Sequence, residues 1–113
     1  MPGKFLECRF FEQSSGNSPV KEWLRDLPKE VRQQVGSDIQ LVQREWPVGK
    51  PLIDGFGDGL YEVRTSHDGN LYRVLFCIVD SCMVLLHGFQ KKTQKTPQDD
   101  VKLARRRKKL VEE

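Results

Sequence analysis

The chain has 113 residues and a mass of 13.1 kDa. Its hydrophobic fraction, 37% without glycine, rises to about 45% when the 9 glycines are added, which is usual for a soluble globular domain. A chain of this length can bury roughly two-thirds of the surface that it exposes when unfolded, which is enough for one hydrophobic core. We therefore expect a single domain spanning residues 1–113, and the length excludes a multidomain enzyme.

Positive charge is concentrated towards the C-terminal end of the sequence. Residues 1–63 carry 8 basic and 10 acidic side chains (−2), residues 64–89 carry 2 of each, and residues 90–113 carry 9 and 4 (+5), for a net charge of +3. Clustered Lys and Arg raise the local potential, so this pattern is typical of a protein that meets a polyanion or an acidic partner. A solvated helix face explains the charge equally well.

Targeting and metal-binding signals are missing from the sequence. Apolar runs stay well short of the roughly 18 residues of a membrane span, and Lys4, Glu7 and Arg9 interrupt the segment where a signal peptide needs an apolar run. The 3 cysteines have no C-x-x-C spacing, and His67 and His87 lie 20 positions apart. The sequence predicts a cytoplasmic protein with reduced thiols, no membrane contact, no metal and no cofactor.

The first half of the chain predicts one strand followed by a helical hairpin. Residues 5–11 are short and aromatic, as is typical of a strand. Ser18 and Pro19 supply an N-cap and a first-turn proline for a short helix. Pro28 begins a second helix, whose apolar residues recur at intervals of 3 or 4 up to Trp46. Residues 47–59 are rich in proline and glycine, which indicates a connecting loop.

The second half predicts three antiparallel strands and a basic helix. Residues 60–65, 71–79 and 82–89 are rich in β-branched and aromatic side chains. Asp68-Gly69 is a strong signal for a two-residue hairpin turn, and Asp80-Ser81 is a weaker one. A third helix is predicted from about Pro97 to Leu110, with a narrow apolar stripe among its arginines and lysines.

Two arginines are predicted to face each other across the first hairpin. A two-residue Asp68-Gly69 loop places Arg64 opposite Arg73. Directly opposed like charges destabilise a strand pair by up to about 1 kcal/mol, which is easier to understand if an anion such as phosphate lies between them. The alternative is that each arginine pairs with a carboxylate, for example Arg64 with Glu62 or Glu7.

His87 is a candidate proton-transfer residue because imidazole titrates near neutral pH, although a lone strand histidine is more often structural. A two-residue Asp80-Ser81 turn sends His87 to the face opposite the arginines. A three-residue loop through Cys82 pairs His87 with Leu75 and places it on the arginines' face. The sequence leaves both registers open.

The lysines after the last strand complete a basic groove. Lys91, Lys92 and Lys95 emerge at the end of the sheet where Arg73 lies, an arrangement that suits a polyanion. No glycine-rich phosphate loop and no nucleophile with a partnered histidine is visible in the sequence. A metal-free basic site can still cleave RNA, because the 2′-hydroxyl supplies the nucleophile internally.

Four segments together resemble the phage-derived, HigB-type branch of the RelE/ParE toxin superfamily, and a final helix containing Ala104 extends the resemblance over nearly the whole chain. These segments are Pro19-Val20-x-x-Trp23-Leu24, Gly59-Leu60-Tyr61-Glu62-Val63-Arg64, Tyr72-Arg73-Val74-Leu75-Phe76 and Leu85-Leu86-His87-Gly88-Phe89-x-Lys91-Lys92-Thr93-x-Lys95-Thr96-Pro97. The resemblance implies a RelE-like α+β fold, in which an N-terminal helical hairpin packs on a twisted antiparallel four-stranded sheet with a C-terminal basic helix.

The same resemblance implies the toxin of a type II toxin–antitoxin pair that cuts mRNA on the ribosome. Arg64, Arg73 and Lys92 are then expected to bind the phosphate and stabilise the transition state, and His87 to transfer a proton. Four further basic residues are expected to contact RNA: Lys91, Lys95, Arg105 and Arg106. The expected partners are mRNA and an antitoxin of the helix-turn-helix type.

Two other functions fit the same sequence. One is a non-catalytic inhibitor of a protein target such as DNA gyrase, as in the ParE branch of the superfamily. The other is a nucleic-acid-binding regulator without turnover. The arginine pair beside a lysine-rich loop favours the endoribonuclease over both.

Overall fold

The computed structural model describes residues 5–92 and 97–112, in which a mixed sheet separates two helices on one face from a third helix on the other. The strands are β1 (Glu7–Phe10), β2 (Ile53–Gly55), β3 (Tyr61–His67), β4 (Asn70–Val79) and β5 (Cys82–Lys91). The helices are α1 (Pro19–Arg25), α2 (Lys29–Glu45) and α3 (Gln98–Glu112). The α+β class predicted from the sequence is therefore confirmed.

The sheet has five strands in the order β1-β5-β4-β3-β2, and its first strand is parallel to the last. β1 lies at an edge of the sheet, beside the last strand of the sequence. The prediction of four antiparallel strands is wrong, because β1 runs parallel to β5 and a fifth strand is present. Alternation of side chains identifies a strand but not the direction of its neighbour, so the sequence held no signal for the parallel pair.

The additional strand, β2, lies inside residues 47–59, for which the sequence predicted only a loop. It pairs antiparallel with β3, with Ile53 opposite Val63 and Gly55 opposite Tyr61. Three residues are too few to show a period, so the segment could not be recognised locally. It becomes a strand because Ile53 is buried in the core beneath α2.

The apolar stripe predicted for the second helix is buried in α2: Val31, Val35, Ile39 and Val42. The two N-terminal helices nevertheless do not form the predicted hairpin. α1 packs against β5 and β1, and α2 packs against β3, so the helices spread over different strands of the same face. Pro28 separates them, and each helix buries its own apolar side against the sheet.

The opposite face of the sheet holds a second, smaller core beneath α3. Ala104 of α3 is fully buried among Leu60, Leu75 and Leu86. Arg107 adds to this contact by donating a 2.8 Å hydrogen bond to the Leu86 carbonyl. The predicted basic helix is thus present. It buries one narrow apolar stripe, and the rest of its surface is largely polar.

Across residues 5–92 and 97–112, none of the helices has the length and apolar character needed to cross a membrane. The three cysteines, Cys8, Cys77 and Cys82, are free thiols. Burial raises the pKa of Cys8 and of Cys77 to about 11, so both thiols are protonated at neutral pH.

Gly88 offers a direct test of how tightly α1 packs on the sheet. A Cβ atom at Gly88 would lie 2.3 Å from Cε3 of Trp23, far inside van der Waals contact. We predict that Gly88→Ala lowers the free energy of unfolding by about 1–3 kcal/mol, because the indole must move out of its packing position. Urea denaturation followed by tryptophan fluorescence measures the change.

Gly36, in the interior of α2, provides the matched control for that substitution. A Cβ atom at Gly36 meets no atom within 4 Å. Gly36→Ala is expected to raise the free energy of unfolding by up to about 1 kcal/mol, since alanine is the better helix former. Equal effects of the two substitutions would contradict the close Trp23 packing.

Candidate functional site

The first hairpin brings two arginines together on the α3 face of the sheet. Its turn residues Asp68 and Gly69 both have positive φ, 50° and 79°, as a type I′ turn requires. Arg64 of β3 lies directly opposite Arg73 of β4, so the predicted register is confirmed. Both side chains leave the sheet on the same face, which also carries Glu62.

Arg73 is the buried member of the pair, with 3% of its surface exposed. Its Nε lies 3.6 Å from Oε1 of Glu62, which is 2% exposed, and its Nη1 donates a 2.9 Å hydrogen bond to the Tyr72 carbonyl. Burial lowers the pKa of Arg73, Glu62 opposes this shift, and Arg64 adds to it. Arg73 Nε has no hydrogen-bond partner among the described residues, so the guanidinium retains an unused donor.

Lys91 adds a third positive charge to this cluster. It lies at the end of β5, opposite Leu71, on the face that carries the arginines, and 9% of its surface is exposed. Burial lowers its pKa, and the positive charges of Arg73 and Arg64 lower it further, while Glu62 and Asp54 oppose the shift. We call Arg64, Arg73, Lys91 and the neighbouring Glu62 carboxylate the cationic cluster.

A cleft of about 440 Å³ opens beside the cationic cluster. Arg64 and Arg73 line one side of it, and Gln34 and Asp38 of α2 line another. Asp38 is held in place because its Oδ2 accepts a 2.7 Å hydrogen bond from Thr65 and its Oδ1 a 3.3 Å bond from Gln34. The arginine pair therefore borders an open space as well as a buried carboxylate.

His87 reaches the arginines' face by a route that the sequence did not indicate. Asp80 and Ser81 form a two-residue turn, both with positive φ, which alone would place His87 on the other face. A β-bulge corrects this, because Leu75 pairs with His87 while the next residue of β4, Phe76, pairs with Leu85. The extra residue in β5 is Leu86. His87 therefore lies on the arginines' face, as predicted for a three-residue loop, although the loop has only two residues.

The His87 ring is held by α3 and by its own strand. Its Nε2 lies 2.5 Å from Oδ1 of Asp100, in the first turn of α3, and its ring stacks on Phe89 with centroids 5.3 Å apart. Phe89 in turn lies opposite Arg73. The imidazole is thus a hydrogen-bonded, oriented group close to the cationic cluster, with 16% of its side chain exposed.

Among the described residues, Lys92, Arg105 and Arg106 are not part of the cleft lining. Lys92 is exposed just after β5, and Lys95 lies outside the described residues. Arg105 donates a 2.9 Å hydrogen bond to the Phe56 carbonyl and lies 3.5 Å from Asp58. Arg106 borders a different groove, beside Phe11. The structure therefore brings Arg64, Arg73 and Lys91 together, with His87 nearby.

Two contributors to the site, Glu62 and Asp100, were not assigned from the sequence. Glu62 was considered as a partner for Arg64, but it pairs with Arg73; its two-residue separation from Arg64 places it on the same face. Lys91, which the sequence analysis expects to contact RNA, follows Phe89 by two residues and therefore lies on the arginines' face. Asp100 belongs to a different element from His87, so no local pattern could connect them.

Among the described residues, no group of three His, Cys, Asp or Glu side chains is arranged to hold a metal ion. The carboxylates at the site are already engaged by cations or hydrogen-bond donors: Glu62 by Arg73, and Asp100 by His87. The donors present suit a bound anion, because guanidinium and ammonium groups direct N–H bonds at oxygen.

Comparison with known proteins identifies the family. Residues 22–109, which are 88 of the 113 residues, match the phage-derived protein Gp49-like family (DUF891). No curated protein matches the chain. The match covers α2, both arginines, His87, Lys91 and most of α3. The chain therefore belongs to the phage-derived Gp49-like family, a RelE/ParE-like toxin family of toxin–antitoxin systems.

Proposed function

We propose that this protein is the HigB-type toxin of a type II toxin–antitoxin module and that it cleaves mRNA on the ribosome as a metal-independent endoribonuclease. The observation that carries the proposal is the cationic cluster, in which Arg64, Arg73 and Lys91 lie close together beside an open cleft that the two arginines line. The family supports a toxin, and the excess positive charge supports a polyanionic substrate.

In this proposal the scissile phosphate sits against Arg64 and Arg73. The half-buried guanidinium of Arg64 and the ammonium group of Lys91 supply charge-assisted hydrogen bonds to its oxygens, and the buried guanidinium of Arg73 adds positive charge behind them. Lys92, exposed at the end of the same strand, stabilises the charge that develops on phosphorus. Lys95, Arg105 and Arg106 are proposed to contact the RNA backbone.

The chemistry requires one nucleophile and two proton transfers. The 2′-oxygen attacks phosphorus, the bond to the 5′-oxygen breaks, and the products are a 2′,3′-cyclic phosphate and a 5′-hydroxyl. One proton leaves the 2′-hydroxyl and one reaches the departing 5′-oxygen. His87 transfers one of these protons, and Asp100 is a positioning residue that fixes the tautomer and orientation of the ring.

The burial of Arg73 favours a second candidate function. This guanidinium is 3% exposed and already interacts with Glu62, which is an arrangement that a purely structural ion pair also adopts. A non-catalytic inhibitor of a protein target, such as the ParE-like inhibitors of DNA gyrase, needs no open phosphate site. The two functions differ in whether expression of the protein creates new RNA ends.

The toxin assignment also requires an antitoxin. We propose a helix-turn-helix antitoxin as the partner, because the family belongs to toxin–antitoxin systems and residues 90–113 carry a net charge of +5. A segment with excess carboxylates is the natural complement of that charge.

The first prediction concerns the arginines. Arg73→Ala is expected to reduce cleavage of translated messages by about 10²–10³-fold, the usual effect of removing one donor that stabilises the transition state. Arg64→Ala, at a half-buried position, gives the same loss without opening the Glu62 ion pair. Mapping of RNA ends after induction in growing cells measures the cleavage.

Arg44→Ala, at an exposed position in the last turn of α2, is the control and should cleave like the unchanged protein. Growth arrest by the unchanged protein with intact messages throughout would exclude the nuclease and favour the non-catalytic inhibitor. Cleavage that persists in both Arg73→Ala and Arg64→Ala would place the active site elsewhere.

The second prediction separates a positioning role for Asp100 from a structural one. Asp100→Asn should slow cleavage by about tenfold or more, because a misoriented His87 loses part of the roughly 10²–10⁴-fold rate enhancement that acid–base catalysis provides. The substitution should also change the pH–rate profile. Asp99→Asn, at an exposed position on the same turn, is the matched control. A lower melting temperature with an unchanged pH–rate profile would assign Asp100 a structural role only.

The third prediction uses the lowered pKa of Lys91. Because the protonated amine binds the phosphate, affinity for a 2′-O-methylated, non-cleavable RNA should fall as the pH rises through that lowered pKa, below the usual value of 10.5. Lys91→Arg should keep its affinity to higher pH, since guanidinium stays charged. Fluorescence anisotropy across the alkaline pH range measures the RNA affinity of the unchanged protein and of Lys91→Arg. Lys102→Arg, at an exposed position, is the control. Identical affinity curves for these three proteins would contradict a phosphate contact by Lys91.

A further inference from the structure

The outer edge of β3 is open just beyond Arg64. The Arg64 amide donates to the Leu52 carbonyl at 2.8 Å, and residues 50–52 form a turn instead of a longer strand. Alternate residues of an antiparallel strand direct their backbone groups to the same side, so the N–H and C=O of Ser66 point to this edge as those of Arg64 do. β2 is the last strand on this side and, within the described residues, does not extend to Ser66.

An acidic side chain of α2 is fixed beside this open edge. The cleft of about 440 Å³ passes around the edge, because Ser66 lines it from β3 and Asp38 lines it from α2 on the other face of the sheet. Thr65, which is buried and directly precedes Ser66, donates a 2.7 Å hydrogen bond to Oδ2 of Asp38. Arg64 and Ser66 are about 7 Å apart along the strand, so the cationic and the acidic parts of the cleft are neighbours.

The Asp38 carboxylate has room for further hydrogen-bond donors. In the part of the chain that the structure describes, no lysine, arginine or histidine nitrogen lies within 4.0 Å of it. Its Oδ1 accepts a long bond, 3.3 Å, from the exposed Gln34 amide, and each carboxylate oxygen has two lone pairs. Beside a phosphate site such a charge repels the RNA backbone, so it favours a ligand that brings N–H donors of its own.

Guanine is the RNA base whose edge matches these groups. It presents two adjacent donors, N1–H and the 2-amino group, followed by the acceptor O6. The two oxygens of Asp38 suit the donors, and the Ser66 N–H suits O6. Adenine and cytosine place a ring nitrogen acceptor beside their amino group, and this acceptor would face a carboxylate oxygen. Uracil has one N–H between two carbonyls, so it offers the carboxylate a single donor.

We propose that this cleft binds a guanine nucleotide of the RNA substrate, with the base at the β3 edge and its phosphate on Arg64. Asp38 and the Ser66 amide read the base, and the apolar side chains of Leu52 and Leu71, which also line the cleft, contact its plane. That the nucleotide belongs to RNA rests on the proposed function. The nuclease then prefers to cut messages next to guanine.

Binding of short RNAs to the intact protein tests the base preference without requiring cleavage. The probes are 2′-O-methylated pentanucleotides of uridine that differ only in the central base, which is guanine, inosine or adenine. We expect the guanine RNA to bind about tenfold or more tightly than the adenine RNA. Inosine lacks only the 2-amino group, so its RNA should bind with intermediate affinity. Fluorescence anisotropy at constant salt concentration measures the three affinities.

Asp38→Asn separates base reading from a structural role. An asparagine still accepts the Thr65 hydrogen bond, but it replaces one acceptor with an amide donor and removes the charge. The guanine RNA should bind about tenfold more weakly, while the adenine RNA should bind at least as tightly as before. A purely structural Asp38 would weaken both RNAs equally. Glu30→Gln, at an exposed position in the first turn of α2, removes the same charge and should keep the preference.

Three results would overturn the proposal: no binding of the guanine RNA, equal affinity for the guanine and adenine RNAs, or a guanine preference that Asp38→Asn retains. Guanosine monophosphate that competes as strongly as the guanine RNA would overturn RNA as the source of the nucleotide. Cleavage of messages without guanine preference would leave the proposed nuclease standing and remove only this site. Guanine-selective binding without new RNA ends in cells would do the reverse.

Discussion

The crowding of positive charge in the cationic cluster is the constraint on which the candidate site depends. Arg73 and Lys91 are buried and Arg64 is half-buried, while Glu62 and Asp54, which lie opposite each other in β3 and β2, are on the same face of the sheet. Removing a charge from water costs several kcal/mol unless it is paired, and Glu62 supplies that pairing to Arg73. In the proposed function, the substrate phosphate adds negative charge at this place.

The pairing registers of the strands place these side chains on one face, and turns and a bulge set those registers. The Asp68-Gly69 turn aligns the two arginines, and the bulge at Leu86 then places His87 and Lys91 on the same face. Side chains two positions apart along a strand lie on the same face, so His87, Phe89 and Lys91 all lie on the face that carries the arginines. Through Asp100, α3 connects the imidazole to the second hydrophobic core, so the orientation of His87 depends on the docking of that helix.

The sequence by itself determined the features that depend on neighbouring residues. The two-residue turn at Asp68-Gly69 specified the opposition of Arg64 and Arg73, and the helical spacing of valines and isoleucine specified the buried side of α2. Only the tertiary structure decided the direction of β1, the existence of β2, the pairing of Glu62 with Arg73 and the contact of Asp100 with His87. The direction of β1, the existence of β2 and the contact of Asp100 with His87 each depend on segments that are not neighbours in the predicted pattern, and a local period carries no information about such distant partners. Glu62 and Arg73 do lie in the predicted hairpin, but its register alone does not specify which cation a buried carboxylate pairs with.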